Sequence, residues 1–175
     1  MIDLKLTDFQ PDVPWTNDVV AAADTPERLI DGVEIEPLVM RRDGRGGLIE
    51  LITARDNPGV ELPHVYQVFA EAGSIRAWVY HERQSDRLAY TSGRLRLALF
   101  DLREDSPTKG ILNVLDVGEG NPCLVTIPPF VVHGLANVGD YPASFVNLPT
   151  NYYDPARPDK MRLPYPDDRI PFSFD

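Results

Sequence analysis

Seventeen of the 175 residues are proline, about twice the usual ~5% share. Proline lacks a backbone donor, breaks helix interiors and cannot contribute an N–H to a sheet ladder. Spread from Pro11 to Pro171, these residues exclude long helices and a helical bundle. They leave room for short elements joined by turns. Disorder is excluded too, because 43% of the residues are hydrophobic and 9% aromatic, enough to build a core. A chain of 175 residues suits one domain, and at this size folding buries ~70% of the unfolded surface.

From about residue 47 the apolar residues fall into short runs rich in Val, Ile, Leu and aromatics, separated by turn clusters such as Arg55-Asp-Asn-Pro-Gly and Asp105-Ser-Pro-Thr-Lys-Gly. The runs predict strands over Gly47–Ala54, His64–Ala70, Ile75–Tyr80, Arg87–Thr91, Leu95–Leu102, Gly110–Leu115, Cys123–Ile127, Gly134–Asn137 and Ala143–Leu148. In the run from Arg94 to Phe100, Leu95, Leu97 and Leu99 alternate with other residues. That period suits an antiparallel sheet with one face in the core and one in water. Many short strands at near-regular spacing imply a β-sandwich, jelly roll or barrel. One short helix is expected at Thr25–Ile30, with Asp24 or Thr25 as cap and Pro26 in its first turn. Residues 151–175, with five prolines from Pro155 to Pro171, read as an extended arm packed on a core of about residues 38–150.

Acidic residues number 27 against 17 basic ones, a formal charge of −10. Nucleic acid and anionic membrane are poor bulk partners for such a chain. No apolar run approaches the ~18 residues of a membrane span, and the N-terminal residues lack the pattern of a signal peptide, so a cytoplasmic location is expected. The single cysteine, Cys123, forms no internal disulfide and reads as a small buried hydrophobe.

The three histidines are His64, His81 and His133. Two spacings surround the last two: Gly73, Val79, His81, Asp86 and Gly93, then Pro128, Phe130, His133 and Asn137. Both resemble the paired motifs of the cupin superfamily, whose His and carboxylate residues face into a jelly-roll barrel. His81, Asp86 and His133 are the set that a metal-dependent cupin would use, two imidazoles and a carboxylate.

A closer resemblance runs through six segments in order. They are Asp43-Gly-Arg-Gly-Gly-Leu-Ile-Glu50, His64-Val-Tyr-Gln67, Ser74-Ile-Arg-Ala-Trp78, Phe100-Asp-Leu-Arg-Glu-Asp-Ser-Pro-Thr-Lys-Gly110, Ile127-Pro-Pro-Phe-Val-Val-His-Gly134 and Thr150-Asn-Tyr-Tyr-Asp-Pro155. Together they resemble the dTDP-4-dehydrorhamnose 3,5-epimerase family, over residues 38–175. The resemblance implies an all-β cupin jelly roll with an N-terminal extension and the Pro-rich arm. It further implies an isomerase or epimerase acting on a dTDP-4-keto-6-deoxyhexose, with no cofactor, and a homodimer that exchanges N-terminal strands. Carried over by position, Arg45, Glu50, Gln67, Arg76 and Arg87 would bind the dTDP-linked sugar, and His81 and His133 would be catalytic. The chain departs from the family pattern at Val79, where the family's His stands, and near Asn147, where its Tyr stands. His81 is then the best proton carrier, since imidazole titrates near neutral pH. Tyr80 lies on the other face of its strand. Trp78, Phe69 and Tyr90 read as core residues, and His64 as surface or interface. Two other classes stay open: a non-catalytic sugar-nucleotide-binding cupin, and a metal-dependent cupin enzyme.

Overall fold

The computed structural model describes residues 5–11 and 25–174. Among the described residues, after a short 3-10 turn at Leu6–Asp8, the regular structure is all strand. The strands are β1 (Glu34–Pro37), β2 (Met40–Asp43), β3 (Gly46–Ile49), β4 (Tyr66–Ala70), β5 (Ile75–His81), β6 (Asp86–Ser92), β7 (Arg94–Asp101), β8 (Leu112–Gly118), β9 (Cys123–Ile127), β10 (Val131–Asn137), β11 (Ala143–Asn147) and β12 (Lys160–Arg162). Two five-stranded antiparallel sheets, ordered β1-β9-β6-β11-β4 and β12-β5-β10-β7-β8, face each other as a jelly roll. β2 and β3 form a separate hairpin.

The alternation of β7 places Leu95, Leu97 and Leu99 in the core between the sheets, each at 0% exposure, beside Tyr90, Val125, Ile127 and Phe145. Burying each such aliphatic side chain contributes ~1.5–3 kcal/mol. The outer face of β7 is wet only over its first half, where Arg94 and Arg96 are open to solvent. Further along it Ala98 and Phe100 are buried in a second cluster with Trp78, Val132 and Ile170. The C-terminal arm covers them. Its Tyr165, Phe172 and Phe174 surround the Trp78 indole, with ring centroids 6.4, 6.4 and 5.3 Å away. Trp78 and Leu163 also exchange backbone hydrogen bonds at 3.0 Å in each direction, which prolongs the β5–β12 pairing.

Two glycines fix close approaches. Gly93 turns β6 into β7 at φ +74°, and Gly134 brings β10 onto β5, where an added Cβ would lie 2.4 Å from Ala77 Cβ. Neither place has room for a larger residue.

The Asp-x-Arg-x-x-Ser-Pro-Thr segment is a structural staple. Asp101, at 0% exposure, accepts hydrogen bonds from Arg103, Ser106 and Thr108. Burial pushes its carboxyl up, but these donors outweigh burial and hold it far below the usual carboxylate range. Arg103 then donates to the Asp31 carbonyl, Thr108 Oγ1 accepts from the Asp31 N–H, and Asn113 bonds both Arg28 and Ile30.

Those bonds explain why the helix expected at Thr25–Ile30 is absent. Its backbone groups are taken by side chains far along the chain, and the segment runs as bends. Asp24 lies outside the described residues. The strand expected over Gly47–Ala54 stops at Ile49, because Thr53 starts a turn, its carbonyl accepting from Asp56 and Asn57. The strand expected from His64 begins at Tyr66, and the one expected over Gly110–Leu115 runs from Leu112 to Gly118. β1, β2 and β12 were not expected. Phe69 is no core residue either; it projects from edge strand β4 at 65% exposure. Cys123 is buried, which pushes its thiol up to about 12.

Replacing Trp78 by Ala removes the centre of the outer cluster. The expected cost is ~3–5 kcal/mol of stability, read by urea unfolding, with faster proteolysis of residues 155–174 than of the barrel strands.

Candidate active site

One open end of the barrel carries the ionisable side chains. β5 ends on His81 and β6 starts on Asp86, so the short turn between them brings these two residues together. β10 adds His133, β11 adds Asn147 and β4 adds Tyr66. From the arm, β12 pairs Lys160 with His81 and Arg162 with Val79, which turns both cations toward the barrel mouth.

Asp86 is the floor of the site, at 4% exposure. Its Oδ1 accepts from Gln84 Nε2 at 2.8 Å and Asn147 Nδ2 at 3.0 Å. Its Oδ2 lies 3.3 Å from His81 Nε2 and 3.4 Å from His133 Nε2. Burial pushes the Asp86 carboxyl up, but the two imidazoles outweigh it and hold the group well below the carboxylate range. His133 Nδ1 sits 3.0 Å from the Val131 carbonyl oxygen, to which it donates, and this sets the ring's orientation.

His81 stands between two carboxylates. Its Nδ1 is 3.6 Å from Asp159 Oδ2, and Asp159 is itself held by the backbone N–H groups of Arg83 and Gln84. Neither imidazole nitrogen is aligned on its carboxylate as a hydrogen bond.

Two adjoining cavities meet here. One, of about 520 Å³, is lined by His64, Tyr66, His81, Tyr152, Asp159 and Lys160 among others. The other, of about 320 Å³, is lined by Arg76, Asp86, His133, Asn147, Lys160 and Arg162 among others. Tyr66, Lys160 and Arg162 belong to both, so the two form one cleft. Its volume suits a small organic ligand. Burial pushes the Lys160 ammonium down; Asp86 opposes this, while Arg162 and Arg76 add to it. Burial also pushes the Tyr66 phenol up, helped by the Asp86 charge.

Of the residues singled out in the sequence, His81, Asp86 and His133 are brought together, and Arg76 reaches the same cleft. Arg45, Glu50, Gln67 and Arg87 lie outside it in this chain, whereas His64, expected at the surface or an interface, lines its larger lobe. Arg45 is exposed on the β2–β3 turn, paired with Asp43. Glu50 is bridged by Arg41 and Arg55. Gln67 points outward from β4 to Ser144, since its neighbour Tyr66 takes the inward place. Arg87 donates to the carbonyls of Leu148 and Glu61, which uses its guanidinium in holding loops. Tyr80 packs on Phe130 outside the barrel. Sequence reasoning missed Tyr66, Gln84, Asp159, Lys160 and Arg162. Only Lys160 and Arg162 had a visible signal, the alternation of Lys160-Met-Arg162 between prolines.

The donor atoms of His81, Asp86 and His133 lie within 4.8 Å of one another. This two-His, one-carboxylate set fits a divalent ion, which would supply a Lewis acid there.

A jelly-roll barrel with imidazoles, a buried carboxylate and a cationic rim at one end defines a cupin with an acid–base cleft. No family model matches the chain. It is 38% identical over 149 residues to the spore coat polysaccharide biosynthesis protein SpsL of Bacillus subtilis, covering 83% of this chain and 97% of that one. It is also 38% identical over 138 residues to the probable low-salt glycan biosynthesis epimerase Agl13 of Haloferax volcanii, covering 78% and 88%. Among solved structures, a dTDP sugar isomerase from Desulfovibrio desulfuricans superposes with a TM-score of 0.76 at 26% identity, covering 82% of this chain and 91% of that one. The chain belongs to the dTDP-4-dehydrorhamnose 3,5-epimerase family and is an enzyme of the isomerase class. Among the described residues no helix is long and apolar enough to cross a membrane.

Replacing Asp86 by Asn leaves two imidazoles facing a neutral group and should cost ~3–5 kcal/mol at pH 7. Because the folded Asp86 is depressed below its unfolded value, its stabilisation is complete above pH ~4 and is lost as pH falls through the folded value. Urea unfolding of both proteins over a pH series should show the gap between them shrinking below pH ~4.

Proposed function

We propose that this enzyme isomerises or epimerises a dTDP-linked 4-keto-6-deoxyhexose by moving a proton alpha to the ketone. One observation carries the reading: a histidine held between two carboxylates opens onto a cleft whose rim bears three cations. Asp159 places a second carboxylate 3.6 Å from His81 Nδ1. Nε2 is then the base, and Asp86 beside it stabilises the imidazolium that forms when the proton arrives. The substrate's own ketone is the electron sink, so the step needs no cofactor.

Arg76, Lys160 and Arg162 would hold the diphosphate through charge-assisted hydrogen bonds. Their side chains form no ion pair with the described residues, unlike Arg41, Arg96, Arg103 and Arg169. The nucleoside would lie in the larger lobe beside Tyr152 and His64. Names of relatives support the class: one is called an epimerase, another a dTDP sugar isomerase. The protein is further proposed to act as a homodimer in the cytoplasm. Arg45 and Glu50, outside their own chain's cleft, would reach a ligand only across the dimer interface. Light scattering at micromolar concentration should give twice the 19.6 kDa chain mass.

Calorimetry with dTDP tests the substrate class, and no binding at millimolar ligand would remove it. Lys160→Met should weaken dTDP ~10–100-fold, the worth of one hydrogen bond to a charged group. In deuterated water the sugar should take up deuterium alpha to the ketone, and His81→Ala should abolish the uptake while leaving dTDP affinity intact. Tight dTDP binding without uptake would leave a binding protein in place of an enzyme. Elemental analysis of active protein is expected to show no stoichiometric metal. A divalent ion whose removal stops the exchange would move the chemistry onto the His81, Asp86 and His133 donor set.

A further inference from the structure

The smaller lobe of the cleft is only partly polar, and strand alternation explains why. On β5, Val79 is two residues from His81 and faces the same way. It is the cross-strand partner of His133 on β10 and of Arg162 on β12. An apolar side chain thus stands in the row between an imidazole and a guanidinium. On the facing sheet, Leu88 follows Asp86 by two residues on β6. Val68 and Phe145 are a cross-strand pair, two residues along from the pair Tyr66 and Asn147. Val68, Val79, Leu88 and Phe145 all line the lobe. Leu88 and Phe145 also belong to the inner core, and Val68 packs against it. This end of the cleft is therefore the open top of the hydrophobic core, set beside ionisable groups.

Moving a proton does not call for such a surface, but the substrate offers a match for it. In a 4-ketohexose the ring carbon C5 is alpha to the ketone and bears C6. Whatever C6 carries must therefore be housed close to the reacting centre. With the ketone near His81 and the diphosphate on Arg76, Lys160 and Arg162, the apolar side of the lobe is left for C6. We infer that Val68, Val79, Leu88 and Phe145 seat the C6 methyl group and select a 6-deoxy sugar over its 6-hydroxy counterpart. This rests on the proton-transfer reading above and adds the residues that read C6. A methyl group placed there leaves water for apolar neighbours, which is favourable. A hydroxyl in its place would lose water and find no donor or acceptor on these four side chains. Asp86 Oδ1 is already taken by Gln84 and Asn147. Val79, which cannot move a proton, has its role in this selection.

The test compares the dTDP-4-keto-6-deoxyhexose with the dTDP-4-ketohexose that keeps its C6 hydroxyl. The readout is kcat/KM for deuterium uptake alpha to the ketone, taken as a ratio between the two sugars. Wild type should prefer the 6-deoxy sugar ~10²-fold, about what an apolar pocket achieves against an added hydroxyl. Val79→Thr keeps the side-chain shape and supplies a hydrogen-bond partner, so the preference should fall to about tenfold or less. Val79→Ile adds a methylene where the C6 methyl would sit. It should move preference from the 6-deoxyhexose toward the dTDP-4-ketopentose, which lacks C6, by ~10-fold or more. Should Val79→Thr fold poorly, Val68→Thr repeats the test from the facing sheet. The assignment is overturned if wild type turns over both hexoses equally well. It is also overturned if the Thr variants bind dTDP as wild type does and leave the ratio unchanged. Absent dTDP binding, or absent uptake with every sugar, would instead remove the proton-transfer reading, and the assignment with it.

Discussion

The seating of the C-terminal arm on β5 is the constraint on which both the barrel and its cleft depend. Trp78 is its anchor, bonded through its backbone to Leu163 and wrapped by three aromatic rings. Aromatic side chains bury ~150–250 Å² each, so at ~25 cal/mol per Å² the clasp contributes several kcal/mol. Without the arm, Ala98, Phe100 and Val132 would expose an apolar outer face, and β5 would present an unpaired edge. The cleft would lose Asp159, Lys160 and Arg162 at once. Pro158, Pro164 and Pro166 suit this role, since an extended segment already restricted in the unfolded chain loses less entropy when it docks.

The second dependence is the buried carboxylate beneath the cleft. An isolated ionised carboxylate in an apolar interior is strongly unfavourable. Asp86 is tolerated because two amides and two imidazoles surround it; Gln84 and Asn147 are fixed by bonding it, and His133 is held by the Val131 carbonyl. Asn147 passes the order on to Tyr66. The bonded part of this network, Gln84, Asp86, Asn147 and Tyr66, is thereby made rigid. Rigidity is what an acid–base site needs, because its groups then reorganise little as charge develops.

These dependences decide what the sequence could reveal. Strands with their own period were legible: β7 through Leu95, Leu97 and Leu99, β9 and β11 through short apolar runs. So were His81 and Asp86, at the ends of β5 and β6 beside a recognisable turn, and His133, which follows the Pro128-Pro129 entry to β10. The short pieces β1, β2 and β12 were hidden, because three or four residues carry no period and their partners are distant in sequence. The segment at Thr25–Ile30 has helix-start chemistry, yet Asn113 and Thr108 take its backbone groups. Local preference yields to tertiary bonds there. Arg45, Glu50, Gln67 and Arg87 matched by motif but fall outside the cleft of their own chain, because motif order does not state which face of a strand a side chain takes. Tyr66 illustrates the converse. It occurs in the segment quoted for Gln67, and a shift of one residue along β4 exchanges the inward side chain for the outward one.

The net charge of −10 is misleading for the same reason, since it counts charge without place. Much of the acidity is paired locally on the outside, as in Arg96 with Asp116, Arg157 with Asp154 and Arg169 with Asp167. Exposed pairs of this type contribute little energy, but they leave little field beyond their own neighbourhood. Unpaired charge at ~8 Å or more is screened at physiological salt. The potential felt by an anion at the barrel mouth is therefore set by what lies within that distance. There Arg76, Lys160 and Arg162 converge, while the nearby carboxylates of Asp86 and Asp159 are turned inward to His81 and the β5–β6 turn. An acidic protein can in this way present a locally cationic opening, and the arm that supplies two of those three cations is the same element that completes the fold.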